Sequence, residues 1–145
     1  MIDMRIKQLF FDRPAVARAV DRAKRMVLSR AGAFIRRRAR TSIRKRRRAS
    51  RPGQPPSSHT GLLRNLILFG YDRASDSVVV GPVGLRSSRA PQVLEQGGTT
   101  TVLRRRRGRL VAERVRIAAR PYMGPALAAE RDKLPRVWRD SVRAG

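Results

Sequence analysis

Residues 12–48 read DRPAVARAVDRAKRMVLSRAGAFIRRRARTSIRKRRR. Val16, Val20, Ala23, Val27, Ala31 and Phe34 recur at steps of three and four, the spacing that gathers side chains on one face of an α-helix. Arg18, Arg22, Arg25 and Arg36 fall largely off that stripe. Asp12 ahead of Arg13-Pro14 supplies a capping carboxylate and a first-turn proline, which together mark a helix start. Gly32 is a weak point where the helix can bend, although Ala31 and Ala33 beside it favour continuity. The pattern predicts a helix over about 13–48, fraying in the charge run. Some 35 residues at 1.5 Å each give about 50 Å, whereas a compact domain of this size is about 40 Å across. Such a helix is expected to overhang its globule, bend, or pack on another subunit, and its overhanging end is expected to be the basic one.

Working outward, the chain has 145 residues, with 35 Lys or Arg against 10 Asp or Glu, a formal charge of +25. The length suits one α+β domain over residues 1–145. Apolar residues at 41% suffice for a core and argue against wholesale disorder. Apolar runs such as Leu66–Phe69 are too short to span a bilayer, so no membrane partner is expected. Met1–Phe11 mixes charges into its apolar residues, so no secretory leader is expected there. The absence of cysteine excludes disulfides, a thiolate nucleophile and Cys-ligated metal.

Only Lys7, Lys24, Lys45 and Lys133 are lysines, so 31 of the basic residues are arginine. A GC-rich genome produces the same skew, so the placement of the charge says more than its total. Arg36, Arg37, Arg38, Arg40, Arg44, Lys45, Arg46, Arg47, Arg48 and Arg51 follow one another with no acidic residue among them. A second knot, Arg104-Arg105-Arg106-Arg107, is followed closely by Arg109. Such runs repel themselves and become favourable beside a polyanion or an acidic protein face. Aromatics are only 5% and none interrupts the first run, so stacking platforms for specific RNA reading are missing. Non-specific phosphate contact is the most the charge supports.

Before the helix, Ile2, Met4 and Ile6 alternate with charged residues, as in a half-buried strand. After it, Ser50–Ser58 (SRPGQPPSS) reads as a linker closed to regular structure. Thr60 can cap a short helical turn over Gly61–Asn65. Leu66–Tyr71 and Ser77–Val80 read as strands around a turn at Asp72–Asp76, stopped by Gly81-Pro82. Pro91–Glu95 reads as a short helix ended by Gly97-Gly98. Thr99–Leu103 and Leu110–Ile117 form a hairpin whose tip carries the arginine knot and Gly108. A C-terminal helix is expected over about Pro125–Arg139, kinked or broken at Pro135. The sheet core with this helix is thus expected over about 60–142.

Site chemistry is sparse. His59 is the only histidine and lies in the Pro/Ser linker, where a solvated loop residue is expected. Asp72 and Asp76 flank a turn and are expected to cap backbone amides. Asp3, Asp12 and Asp21 suggest no metal cage. Glu95, between Val93-Leu94 and Gly97-Gly98, is expected to bridge to an arginine, with backbone donors at the chain reversal as the alternative. No Walker loop, nucleophile elbow or His-Glu-x-x-His is present. Neither catalysis nor a cofactor is expected.

Three blocks occur in order: Ser58-His59-Thr60-Gly61-Leu62-Leu63-Arg64-Asn65-Leu66-Ile67, then Pro91-Gln92-Val93-Leu94-Glu95-Gln96-Gly97-Gly98-Thr99, then Ala119-Arg120-Pro121-Tyr122-Met123-Gly124-Pro125-Ala126-Leu127. In order, spacing and context they resemble the tail-completion, or head–tail joining, family of tailed bacteriophages, over about Phe10–Val142. Gly61, Leu63, Arg64, Glu95, Gly97, Arg120, Pro121, Met123 and Pro125 carry the resemblance. Leu66 stands where a serine is usual, Gln96 replaces an aromatic, and Gly97-Gly98 adds a glycine. The resemblance implies an oligomeric ring of six in the virion neck, assembled in the bacterial host cytoplasm. Its implied partners are the head-side connector or stopper, the tail terminator and genomic DNA in the channel.

A non-specific nucleic-acid-binding basic protein is the competing class, and an enzyme is a distant third. Duplex DNA carries one charge per ~1.7 Å, so a channel about 30 Å deep holds about 18 phosphates. Six copies at +25 bring about 150 positive charges. Most arginines are therefore expected to meet acidic protein faces or solvent, and the stretch between Arg44 and Ser58 is expected to be mobile in the free subunit.

Overall fold

The computed structural model describes residues 12–85, 89–139 and 141–142. The strand expected within Met1–Phe11 lies outside the described residues. The fold is α+β: a long N-terminal helix, small antiparallel sheets and C-terminal helices.

Helix α1 spans Arg13–Ser42, with Asp12 Oδ1 accepting the Ala15 amide at 2.9 Å as the sequence predicts. The helix runs unbroken through Gly32. Its inward ridge is Ala23, Val27, Ala31, Ile35, Ala39 and Ile43, a strict step of four continued backwards by half-buried Ala19 and Ala15. Val16, Val20 and Phe34, expected on the apolar stripe, sit just off this ridge and are exposed.

The helix stops at Ser42 rather than near Arg48. Thr41 and Ser42 hydroxyls donate to the carbonyls of Arg38 and Ala39, and Ile43 turns extended to bury its side chain fully. Like charges three and four apart over residues 44–48 give no reason to continue. Instead β1 (Arg44–Lys45) pairs in parallel with β2 (Ser57–Ser58), so the end of the supposed linker is a short strand. The overhang expectation is also reversed. The basic end of α1 is the embedded one, and nothing before Ala23 is fully buried among the described residues.

Gly61, at φ +81, turns the chain into helix α2 (Leu62–Leu66), and the Leu62 amide donates to Thr60 Oγ1. Strands β3 (Ile67–Asp72) and β4 (Ser77–Pro82) pair antiparallel, so Gly81-Pro82 lie within the second strand rather than ending it. Phe69 and Val78 face α1, where Gly32 lets them approach: a β-carbon there would lie 2.6 Å from Val78 Cγ2 and 2.8 Å from Phe69 Cδ2. Helix α3 (Ala90–Gln96) leads into β5 (Gly98–Arg106) and β6 (Arg109–Ile117). The C-terminal helix is two pieces, α4 (Met123–Arg131) and α5 (Leu134–Trp138). The break falls just before Pro135, which has no N–H to give and sits in the first turn of α5. Ile35, Ala39, Ile43, Ile67, Tyr122 and Ala126 form the core, with Leu63, Val80, Leu94 and Met123 packed on it.

Candidate functional site

The arginine run does not act as one surface. Arg36 Nε donates to the Ile67 carbonyl at 2.8 Å, tying α1 to the start of β3. Arg38 Nε donates to Glu130 Oε1 at 2.7 Å, with Lys133 Nζ 3.3 Å from both carboxylate oxygens. Arg38, then Lys133, hold the Glu130 carboxyl below its ordinary value. Both arginines, expected as contacts to a partner, are thus engaged inside the subunit. Arg37 is exposed and Arg40 half-buried on α1.

Beyond Ser42, the side chains of Arg44, Lys45, Arg46, Arg47 and Arg48 are exposed. Alternate members, Arg44, Arg46 and Arg48, line an open cleft of about 630 Å³ together with Arg51. Its walls are tied down rather than loose. The Arg46 amide donates to Ser58 O at 3.3 Å, the Gly53 amide to Ala119 O at 2.8 Å, and Arg120 Nε to Ser50 O at 3.0 Å. The ends of the 46–58 loop thus meet, the geometry of an Ω-loop.

The second knot lies on a hairpin longer than the sequence suggests. Arg104, Arg105 and Arg106 belong to β5, and only Arg107-Gly108 form the turn, both at positive φ as in a type I′ turn. Nine residues per strand give an arm about 30 Å long. It meets the body chiefly through α3. Paired residues share a face. On one face Thr100, Val102, Glu113, Val115 and Ile117 are half-buried, and Glu113 lies 3.6 Å from Arg104 and 3.5 Å from Arg106. On the other, every residue from Thr99 to Arg105 and from Leu110 to Arg116 is exposed, with Leu103 at 69% and Leu110 at 67%. The apolar content of this outward face was not anticipated from sequence. The strand register around Arg107-Gly108 is the signal that would have given it.

The three sequence blocks converge. Glu95 Oε2 accepts the amides of Tyr122 at 2.9 Å and Met123 at 3.0 Å, and Oε1 accepts that of Gly124 at 2.7 Å. The carboxylate therefore caps the start of α4 instead of bridging to an arginine, so the salt-bridge expectation is corrected. The Arg120 amide donates to Leu94 O at 2.6 Å. Gly97, at φ +77, lets the chain pass 117–119, where a β-carbon would lie 3.0 Å from the Ala119 nitrogen. Leu63 and Met123 pack on the core, Arg64 and Pro121 are half-buried, and Pro125 is exposed. Burial, with Glu95 nearby, pushes the Tyr122 phenol up to about 12.

His59 is exposed. Asp72 accepts the Ala74 amide at 3.0 Å within its turn, and Asp76 is held by Lys24 and Tyr71. Lys24, then Tyr71, keep the Asp76 carboxyl below its ordinary value. Among the described residues no three ligating side chains converge on a metal position, and no helix is long and apolar enough to cross a membrane. Comparison with known protein families, with curated proteins and with solved structures finds no match.

Proposed function

We propose that this chain is a non-enzymatic structural subunit of the tailed-phage neck, a ring-forming tail-completion or head–tail joining protein linking the head-side connector to the tail. The observation that carries the assembly part of this reading is the outward face of the β5–β6 arm. A two-stranded sheet is marginal alone in water, yet this one carries Leu103 and Leu110 two-thirds exposed. With Ala112 between them and Arg105, Arg114 and Arg116 on the same face, the two leucines suit a neighbour that offers apolar surface rimmed by acidic groups. A head-to-tail contact of such an arm on the next copy closes into a ring when the rotation permits. The neck assignment itself rests on the resemblance of the three blocks; Glu95 ties the second block to the third, and Leu63 and Ile67 of the first pack with Leu94, Tyr122 and Ala126 in the core. The copy number of six, the head-side stopper and tail terminator as neighbours, and a place in the virion all belong to this proposal.

Deleting the gene from its parent particle tests it. The reading expects filled heads and finished tails that fail to unite. Normal virions would remove it.

Non-specific nucleic-acid binding is favoured as a second reading by one observation, the arginine-lined cleft beside β1. Any protein at +25 binds some DNA, so only a localised contribution counts for it.

A further inference from the structure

We propose that the cleft between the C-terminal end of α1 and the 46–58 loop is a binding site for the phosphodiester backbone of nucleic acid. Arg44, Arg46, Arg48 and Arg51 are its cationic residues, and Lys45 and Arg47 do not line it. Arg44 opens β1 and Arg46 follows it, its amide bonded to Ser58 O, before the chain bends at 47–48. Four guanidinium forks around one cleft suit a ligand that carries several phosphates. Among the described residues no carboxylate lines the cleft to compete for the arginines.

The lining favours phosphate over an acidic protein segment. A protein partner is held mainly by aromatic and large apolar anchors. Here the bulkiest apolar lining residues are Pro55 and Pro56. The cleft walls are also fixed in advance by the Arg120–Ser50 and Gly53–Ala119 bonds, so little ordering is needed on binding.

Four arginines escape the objection raised by the full charge. In a ring of six they number about 24, on the scale of the roughly 18 phosphates in a 30 Å length of duplex. The remaining basic residues still exceed what such a segment can neutralise. The proposal holds for a free subunit and does not rest on the neck assignment.

The test measures binding of the full chain to a short labelled duplex of mixed sequence across a salt series. It compares the wild type with Arg44→Gln/Arg46→Gln/Arg48→Gln/Arg51→Gln. A control of equal charge change is Arg104→Gln/Arg105→Gln/Arg106→Gln/Arg107→Gln. Neutralising four phosphate contacts should lower the slope of log K against log salt by about 3 to 4 in the cleft variant. The control should lose less than half of that. Equal losses in the two variants would mean undifferentiated charge and would overturn the site, as would an unchanged slope in the cleft variant. Tighter binding of a polyglutamate peptide than of the duplex at the same salt would also overturn it, in favour of an acidic protein partner. Should the fourfold variant fail to fold, Arg46→Gln alone should lower the slope by about 1, and no change would overturn the proposal equally.

Discussion

Glu95 Oε2 accepts the backbone N–H of Tyr122 at 2.9 Å, so a side chain on α3 fixes the start of α4 across the body of the subunit. The same carboxylate takes the next two amides as well. Three donors that a helix N-terminus leaves open are thereby satisfied by one charged group, which also complements the helix dipole. Tyr122 enters the core directly beside this cap.

Glu95→Ala should therefore destabilise the fold by about 2–3 kcal/mol, more than an ordinary cap, because charge-assisted bonds are lost and amides are left open. Glu95→Gln keeps acceptor oxygen but only on one side, and should lose about half as much. Urea denaturation of the two variants measures both. An arginine partner would instead make the loss strongly salt-sensitive, and hydrogen bonds from backbone amides should be much less so.

Tyr122 gives a pH dependence of defined sign. Its phenol is neutral in the folded state up to about 12, against 10.0 for an ordinary tyrosine. The preference for the neutral form is fully present below pH 10 and is lost as pH rises through 12, because the unfolded chain ionises first. Tyr122→Phe should match the wild type to within about 1 kcal/mol at neutral pH and show a shallower loss of stability above pH 10. Parallel stability curves for the two proteins would contradict the burial of this ring.

Much of this was legible locally. Asp12 and Pro14 announce the start of α1 because a cap needs only its own first turn. The end of α1 was not legible, because it depends on Ile43 finding the core and Arg44 finding Ser57, contacts set by distant chain. Glu95 is legible as a carboxylate at a reversal, but its partners lie about thirty residues on. Composition favours an arginine simply because arginines are many. The same excess hid the division of labour between Arg36 and Arg38, which brace the fold, and the arginines past Ser42, which line the cleft or stay solvated.

Gly32 reads in sequence as a flaw in α1, and its reason is the closeness of the β3–β4 hairpin. Gly32→Ala gains helix propensity of about 1 kcal/mol. The added methyl overlaps Val78 and Phe69, and overpacking of this kind costs about 1–3 kcal/mol. The net result should be a loss of about 1 kcal/mol and a lower melting temperature. A stabilised Ala variant would show that the hairpin yields freely.

The loop ties predict a hydrogen-exchange pattern. The Gly53 amide, bonded to Ala119 O, should be protected in the free subunit. Arg120→Ala removes the bonds to Ser50 O at 3.0 Å and Ala118 O at 3.2 Å, and should speed exchange at Gly53 while leaving Ala31 in the middle of α1 unchanged. Arg120→Lys should fall between, since an ammonium cannot reproduce the two-pronged geometry. Fast exchange at Gly53 in the wild type would restore the picture of a mobile basic arm.

The outward face of the β5–β6 arm separates assembly from folding. Leu103 and Leu110 bury little within the subunit, so Leu103→Ser/Leu110→Ser should change its unfolding free energy by no more than about 0.5 kcal/mol. If a neighbouring copy covers that face, the same pair should matter greatly between subunits, where burying a leucine is worth about 1.5–3 kcal/mol. Each such loss weakens association roughly ten-fold or more. Sedimentation should then show the wild type as a closed oligomer and the double serine variant as a folded monomer at the same concentration. An oligomer that survives both substitutions would move the interface elsewhere, with the exposed Leu68 and Val79 on the outer face of β3–β4 as the next surface to change.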